Sequence, residues 1–302
     1  MKLFDLHADL GYAVWQKHEA GYTDILSSFY TDALRKGGIK AVFMACWFDG
    51  TQDFDQMCAM IHALKADIAR SDDVRLVMDA SLIDWSDDKI YAMLSVEGMC
   101  GIDRDPEARI DWLYAQGVRM GALCWNEENA LAAGWRSSRG LTLLGIRAVR
   151  HMERIGMRID VSHAGEQTFW DIAKQTKGVL VASHSNAAAL CPHPRNLRDE
   201  QIRLIASRGG LIGAAAVGAF VDEREECRDF AHFTRHIDHL CQVAGEAHVG
   251  FGFDFERYYA GSGDGVRGLG APEEAGALIR WLKEQGADKK TASENAVRIF
   301  SF

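Results

Sequence analysis

Six residues able to hold a metal ion stand at the C-terminal ends of short apolar runs. They are His7 and Asp9 in FDLHAD, Glu97 in LSVEG, His163 in GMRIDVSH, His184 in ASHSNA and Asp254 in VGFGFDFE. Singly they say little. His151-Met152-Glu153 and His236-Ile237-Asp238 repeat the histidine-x-acid spacing within helical apolar periodicity, where a solvated helix face accounts for them. Gathered at one rim, the six could not be buried cheaply without a compensating cation, so either water fills the site or metal does. Metal is the better reading. Imidazole and carboxylate donors without cysteine favour zinc, with manganese, iron(II) or cobalt(II) as alternatives, over calcium and magnesium. Five such ligands can serve two ions when one carboxylate bridges them.

The elements that must bring these residues together are eight apolar runs: Leu3 to His7, Ile39 to Trp47, Tyr91 to Glu97, Val118 to Cys124, Met157 to His163, Gly178 to His184, Gly210 to Val217 and His248 to Asp254. Between them lie stretches with apolar residues three and four apart, such as Met57, Ile61, Leu64 and Ile68, or Phe230, Phe233, Ile237, Leu240 and Val243. Alternating strands and helices close most economically into a (β/α)8 barrel, with a doubly wound open sheet as the competing arrangement. In a barrel, the C-terminal strand ends are where enzymes place their chemistry.

At 302 residues, with 48% hydrophobic residues, four prolines and charge spread along the chain, the sequence reads as a single barrel domain over residues 1–302. A formal charge of -9 without clustered Lys and Arg argues against a nucleic-acid surface. No stretch approaches the roughly 20 apolar residues of a membrane span, and no signal-peptide core follows Met1, so a cytoplasmic protein is expected, with no membrane partner. The seven cysteines are scattered among apolar neighbours without C-x-x-C spacing, as reduced core thiols are.

The strings FDLHAD, LSVEG, GMRIDVSH, ASHSNA, PRN (Pro194 to Asn196) and VGFGFDFE, in this order over nearly the whole chain, resemble the membrane dipeptidase (renal dipeptidase) family of the amidohydrolase superfamily. The resemblance implies a (β/α)8 barrel with two zinc ions, the first on His7, Asp9 and Glu97 and the second on Glu97, His163 and His184, with Glu97 bridging. It implies a zinc-dependent dipeptidase in which a metal-bridging hydroxide attacks the peptide carbonyl, Arg195 grips the substrate carboxylate, and Asp254 meets the free amino group and handles protons. Fixing both ends would make the site accept free-ended dipeptides and refuse longer peptides. Without a leader or anchor tail the chain looks like a bacterial cytoplasmic member, and a homodimer is compatible with it. The alternatives are a binuclear hydrolase of another small amide, amidine or lactone, or a metal-binding pseudoenzyme.

Two strings depart from the family pattern. Where many members end the fourth strand Leu-Thr-His, this chain has LCWNEEN, which puts Trp125 in place of a histidine that helps bind the carbonyl oxygen. Trp125 and Asn126 are candidate substrate-binding residues. The indole N–H of Trp125 can donate to an oxyanion but cannot change protonation, and the competing role is a packing aromatic. DFER (Asp254 to Arg257) replaces Asp-Phe-Asp-Gly, so the following loop, Tyr258, Tyr259 and GSGDG (Gly261 to Gly265), is expected to have its own shape and substrate contacts; it is not a phosphate loop. His232, His236 and His239 are read as helix-surface residues, and Trp135, Trp170 and Trp281 as core or interface aromatics.

Overall fold

The structure is a computed structural model that describes residues 1–259, 263–286 and 290–302. Nine parallel strands form the sheet: β1 Leu3–Ala8, β2 Ile39–Trp47, β3 Val74–Leu76, β4 Ile90–Glu97, β5 Val118–Ala122, β6 Arg158–Asp160, β7 Leu180–Ala182, β8 Leu211–Ala214 and β9 Val249–Phe251. Eight of them close into a barrel in the order β1, β2, β4, β5, β6, β7, β8, β9 and back to β1, the β2–β4 pairing sealing the ring. This is the (β/α)8 barrel, not the open sheet. The ninth strand, β3, was not expected. It is three residues long with exposed Arg75 at its centre, and it pairs only with the first residues of β4, below β5.

All eight anticipated runs are strands, but the later ones are shorter than their apolar stretches. β6 stops at Asp160 and β9 at Phe251, three residues before His163 and Asp254. The chain leaves the ladder there because it must turn side chains inward: His163 (φ 65°) and Asp254 (φ 57°) both adopt the left-handed conformation that non-glycine residues normally avoid. Such strain persists only where the surroundings impose it, and it clusters at functional sites.

Strand periodicity explains the depth of the site. Residues at i and i+2 share a face, so Ala41, Phe43, Ala45 and Trp47 of β2 lie in register with Tyr91, Met93, Ser95 and Glu97 of β4. The lower members of this face pack with Phe4, Leu6, Met120, Val181 and Leu211 inside the barrel, and Phe300 from the last helix closes its base against Phe43. Glu97 and Trp47 therefore stand at the top of that filled column. Alternate residues, such as Val42, Met44, Leu94 and Val96, pack outward in the core shared with the helices.

The helices form where the spacing predicts. Phe54–Arg70 starts at a capping box of Asp53 and Gln56 and buries Met57, Ile61, Leu64 and Ile68. Phe230–Ala244 is capped by Asp229 and buries Phe233, Ile237 and Leu240. Two histidines assigned to solvated faces are instead buried. His151 bonds Asp111 at 2.6 Å. His236 sits i+3 from Phe233 and i−4 from Leu240, on the apolar stripe itself. Its Nδ1 accepts from the Ala187 N–H at 3.2 Å and its Nε2–H donates to the Val221 carbonyl at 2.9 Å. His232 and His239 are half-buried, paired with Asp229 and Asp199. All seven cysteines are free thiols.

Candidate metal centre

The six rim residues converge. His7 Nε2 lies 3.0 Å from Glu97 Oε2, 3.5 Å from Asp9 Oδ1 and 3.8 Å from Asp254 Oδ1. The other oxygen of the same carboxylate, Glu97 Oε1, is 2.5 Å from His163 Nε2 and 3.9 Å from His184 Nε2. Glu97 thus faces His7 and Asp9 with one oxygen and the histidine pair with the other, and all five side chains are buried. Within a strand, only a residue at the tip of an inward-facing column could reach both groups.

Hydrogen bonding outside the centre fixes which nitrogen of each histidine looks inward. Trp135 Nε1–H, which can only donate, bonds Asn126 Oδ1 at 2.6 Å, so that atom is an acceptor. His163 Nδ1, 2.8 Å from the same oxygen, must then carry the proton. Ser183 Oγ spends its one hydrogen on the buried carboxylate of Asp160, so at 2.7 Å it accepts from His184 Nδ1–H. Both Nε2 atoms are left with lone pairs, and they face each other across 2.9 Å. Burial, with Arg195 nearby, holds His163 down at about 4, and burial with His7 and Arg195 holds His184 well below its usual range, so neither lone pair is capped by a proton at neutral pH.

Two lone pairs and a carboxylate at such distances repel unless a cation lies among them. Glu97 itself stays ionised: burial would raise it, but the charge that His7 carries beside it holds it well below the carboxylate range. Among the described residues, His7 Nε2, Asp9 Oδ1 and Glu97 Oε2 are buried polar atoms without a hydrogen-bond partner, the condition that ligand atoms meet once an ion is present. The donor set, imidazole and carboxylate with an outer partner behind the rings of His163 and His184, fits a transition ion.

A cavity of about 340 Å³ opens above the centre, lined by Asp9, Glu97, His163, Trp125, Asn126, Arg195 and Asp254 together with Trp47, Trp135, Phe220, Glu256 and Tyr259. Its volume is that of a small-ligand site. A larger cavity of about 630 Å³ shares Arg195, Trp135 and His193 with it, but is lined by none of the six rim residues. Arg195 is buried, with its Nη2 3.4 Å from the His184 carbonyl and its guanidinium carbon 5.3 Å from the centre of the Phe220 ring. Burial pushes Asp254 up to about 7. Trp125 lies edge-on to Trp47 at 5.1 Å and 6.1 Å from His163, as a half-buried wall. Gly261 and Ser262, at the start of the glycine run, lie outside the described residues.

Several contributors were not visible in the sequence. Asn126, expected on the substrate, has its oxygen engaged behind His163, and Trp135, expected in the core or an interface, holds that oxygen from the cavity wall. Asp160 and Ser183 form the relay behind His184. Asp5, fully buried, accepts from the backbone of His7 at 3.2 Å and of Phe253 at 3.0 Å, tying β1 to the turn that carries Asp254. Trp47 ends its strand beside Glu97, where only ionisable residues had been counted.

Comparison with known proteins agrees with this geometry. The family model described as Membrane dipeptidase (Peptidase family M19) matches residues 1–302. An uncharacterized protein of the pqqA 5′ region of Klebsiella pneumoniae is 37% identical over 238 residues, 72% of this chain and 82% of that protein. An uncharacterized dipeptidase of Schizosaccharomyces pombe is 30% identical over 304 residues, 89% of this chain and 71% of that protein. Among solved structures, a metallo peptidase from Rhodobacter sphaeroides, liganded with a phosphinate mimic of the dipeptide L-Ala-D-Ala, superposes with a TM-score of 0.86 at 23% identity, covering 99% of this chain and 98% of that one. The metallo peptidase dipeptidase AC gives 0.85 at 24%, with the same coverage. With its barrel, its buried histidine–carboxylate centre and a match over its whole length, the chain belongs to the membrane dipeptidase family of metallopeptidases, hydrolases acting on peptide bonds.

Proposed function

We propose that this chain is a zinc-dependent dipeptidase acting on free-ended dipeptides. The observation that carries the reading is the division of Glu97, one oxygen toward His7 and the other toward the opposed lone pairs of His163 and His184. His7, Asp9 and Glu97 would hold one zinc, and Glu97, His163 and His184 a second. Bound there, zinc supplies a Lewis acid for the scissile carbonyl and a water of lowered pKa.

The remaining steps belong to side chains of the cavity. Arg195 binds the substrate carboxylate: it is buried, its Nε has no hydrogen-bond partner among the described residues, and Phe220 limits its movement. Asp254 pairs with the substrate amino group and, with a carboxyl near neutrality, takes a proton and returns it to the leaving amine. Trp125 stands beside His163 and offers its indole N–H to the carbonyl oxygen. Two charged anchors at the ends of a small cavity select by length, since a third residue would separate one terminus from its anchor.

The test is a panel of L,L and L,D dipeptides with N-acetyl and C-amide counterparts, assayed with zinc-loaded and chelated protein. The D-residue arm is included because the Rhodobacter sphaeroides structure holds an L-Ala-D-Ala mimic. Cleavage of free dipeptides only, and only with metal, supports the reading. Equal cleavage of blocked substrates removes the roles of Arg195 and Asp254.

A further inference from the structure

Outside the barrel mouth, the loop after β8 brings together a different donor set. Asp222, Cys227 and His232 each offer a ligand atom, and the three lie within 4.8 Å of one another. Among the described residues, this is the group of at least three metal-type donors within reach of one ion that includes a thiol. The three are half-buried. They come from one eleven-residue segment (222–232) that runs into the helix Phe230–Ala244, so little chain entropy is spent in assembling them.

Three features prepare the group for an ion. His232 Nδ1 lies 2.7 Å from the Asp229 carboxylate, an acceptor when ionised, so the ring carries its proton there and Nε2 is the nitrogen free to ligate. Arg228 steadies the loop, donating to the Asp222 carbonyl and to Asp264, both at 3.0 Å. Five carboxylates stand against two arginines between Asp222 and Asp229, which draws cations to this surface. Asp222 now pairs with Arg224, whose side chain is 64% exposed. With its cationic partner exposed and only two residues away, the pair contributes little and gives way to a divalent ion.

We propose that Asp222, Cys227 and His232 form a second, thiolate-containing site for a zinc-type ion, separate from the histidine–carboxylate centre. Mixed sulfur, nitrogen and oxygen ligation with a water in the fourth position suits zinc, and the thiol loses its proton on binding. A thiolate, one carboxylate and a doubly charged ion sum to zero, so the positive end of the helix opposes the complex little. The ion would staple the loop to the helix. That loop also carries Phe220, which underlies Arg195 and whose carbonyl accepts from Asn196 at 2.8 Å.

Cobalt(II) distinguishes the two sites, because none of the five donors of the central site is a thiol. In a cobalt titration of metal-free protein, the expected result is a thiolate-to-cobalt charge-transfer band in the near ultraviolet that rises with one equivalent per chain. It should be absent in Cys227→Ser, which keeps hydrolytic activity. Asp229→Ala, removing the acceptor behind His232, should weaken this equivalent by roughly 10- to 100-fold. No band at cobalt concentrations well above those filling the central site overturns the proposal, as does a band unchanged in Cys227→Ser. Should Cys227→Ser not fold, His232→Gln serves in its place, with the band lost or the proposal overturned. The readout is independent of dipeptide hydrolysis, so it fails or succeeds apart from the functional reading above.

Discussion

Replacing Asn126 by alanine removes a single oxygen that serves two donors, Trp135 Nε1–H at 2.6 Å and His163 Nδ1–H at 2.8 Å. Trp135 is half-buried and water can replace its partner, but His163 is buried, and leaving its N–H without an acceptor costs about 1–3 kcal/mol. The larger consequence is loss of the constraint that directs Nε2 at Glu97 and His184. Losing such an outer partner weakens metal binding by roughly 10- to 100-fold, equivalent to about 1.4–2.7 kcal/mol. The effect is local, because no hydrogen bond connects Asn126 to His7 or Asp9 among the described residues. Competition between the protein and a chromophoric chelator, fitted for two ions, should show one affinity falling by that factor and the other unchanged. Asn126→Asp keeps an acceptor behind His163, strengthened by charge, and should bind within about threefold of the parent or more tightly. Two unchanged affinities in Asn126→Ala would refute the assignment of Asn126 as the residue that orients His163.

Glu97→Gln removes the charge between three imidazoles. The amide cannot face both ion positions as an anion, so metal analysis should find fewer than two ions, against two retained if the carboxylate does not bridge. Trp125→Phe keeps the ring and deletes the N–H, so kcat should fall by roughly 100-fold with little change in KM; an active variant makes Trp125 a wall of the pocket only. His236 carries a pH signature. Burial lowers it from 6.5 to about 4, so the unfolded chain binds the extra proton first as pH falls. Its stabilising contribution is complete above pH 6.5 and is lost toward pH 4, by up to about 3 kcal/mol. Denaturant titrations of metal-free protein should show a flatter loss in His236→Gln, and an unchanged slope would contradict the buried neutral ring.

The barrel was legible because parallel strands buried on both faces read as continuous apolar runs, and the metal-type residues were legible because they end those runs. What stayed hidden depends on distances across the ring. Asn126 and His163 are 37 residues apart, and Asp160 and Ser183 are 23 apart, so no local pattern links them. Nothing in the sequence marks the left-handed backbone at His163 and Asp254, since glycine, its usual signal, is absent from both. The strand β3 was missed because three residues with an exposed arginine carry no periodicity. His236 is different. Its place on the stripe with Phe233 and Leu240 was readable, and the histidine-x-acid pattern drew it to the wrong face.

Metal reconstitution followed by turnover decides whether Glu97 joins two ions in one centre. Metal-free Cys227→Ser protein, in which the loop site cannot contribute, would be titrated with zinc while hydrolysis of a free dipeptide is followed. Activity is expected to rise to its maximum at two equivalents per chain, with the N-acetyl dipeptide uncleaved throughout. Full activity at one equivalent, with no further ion bound, would contradict it.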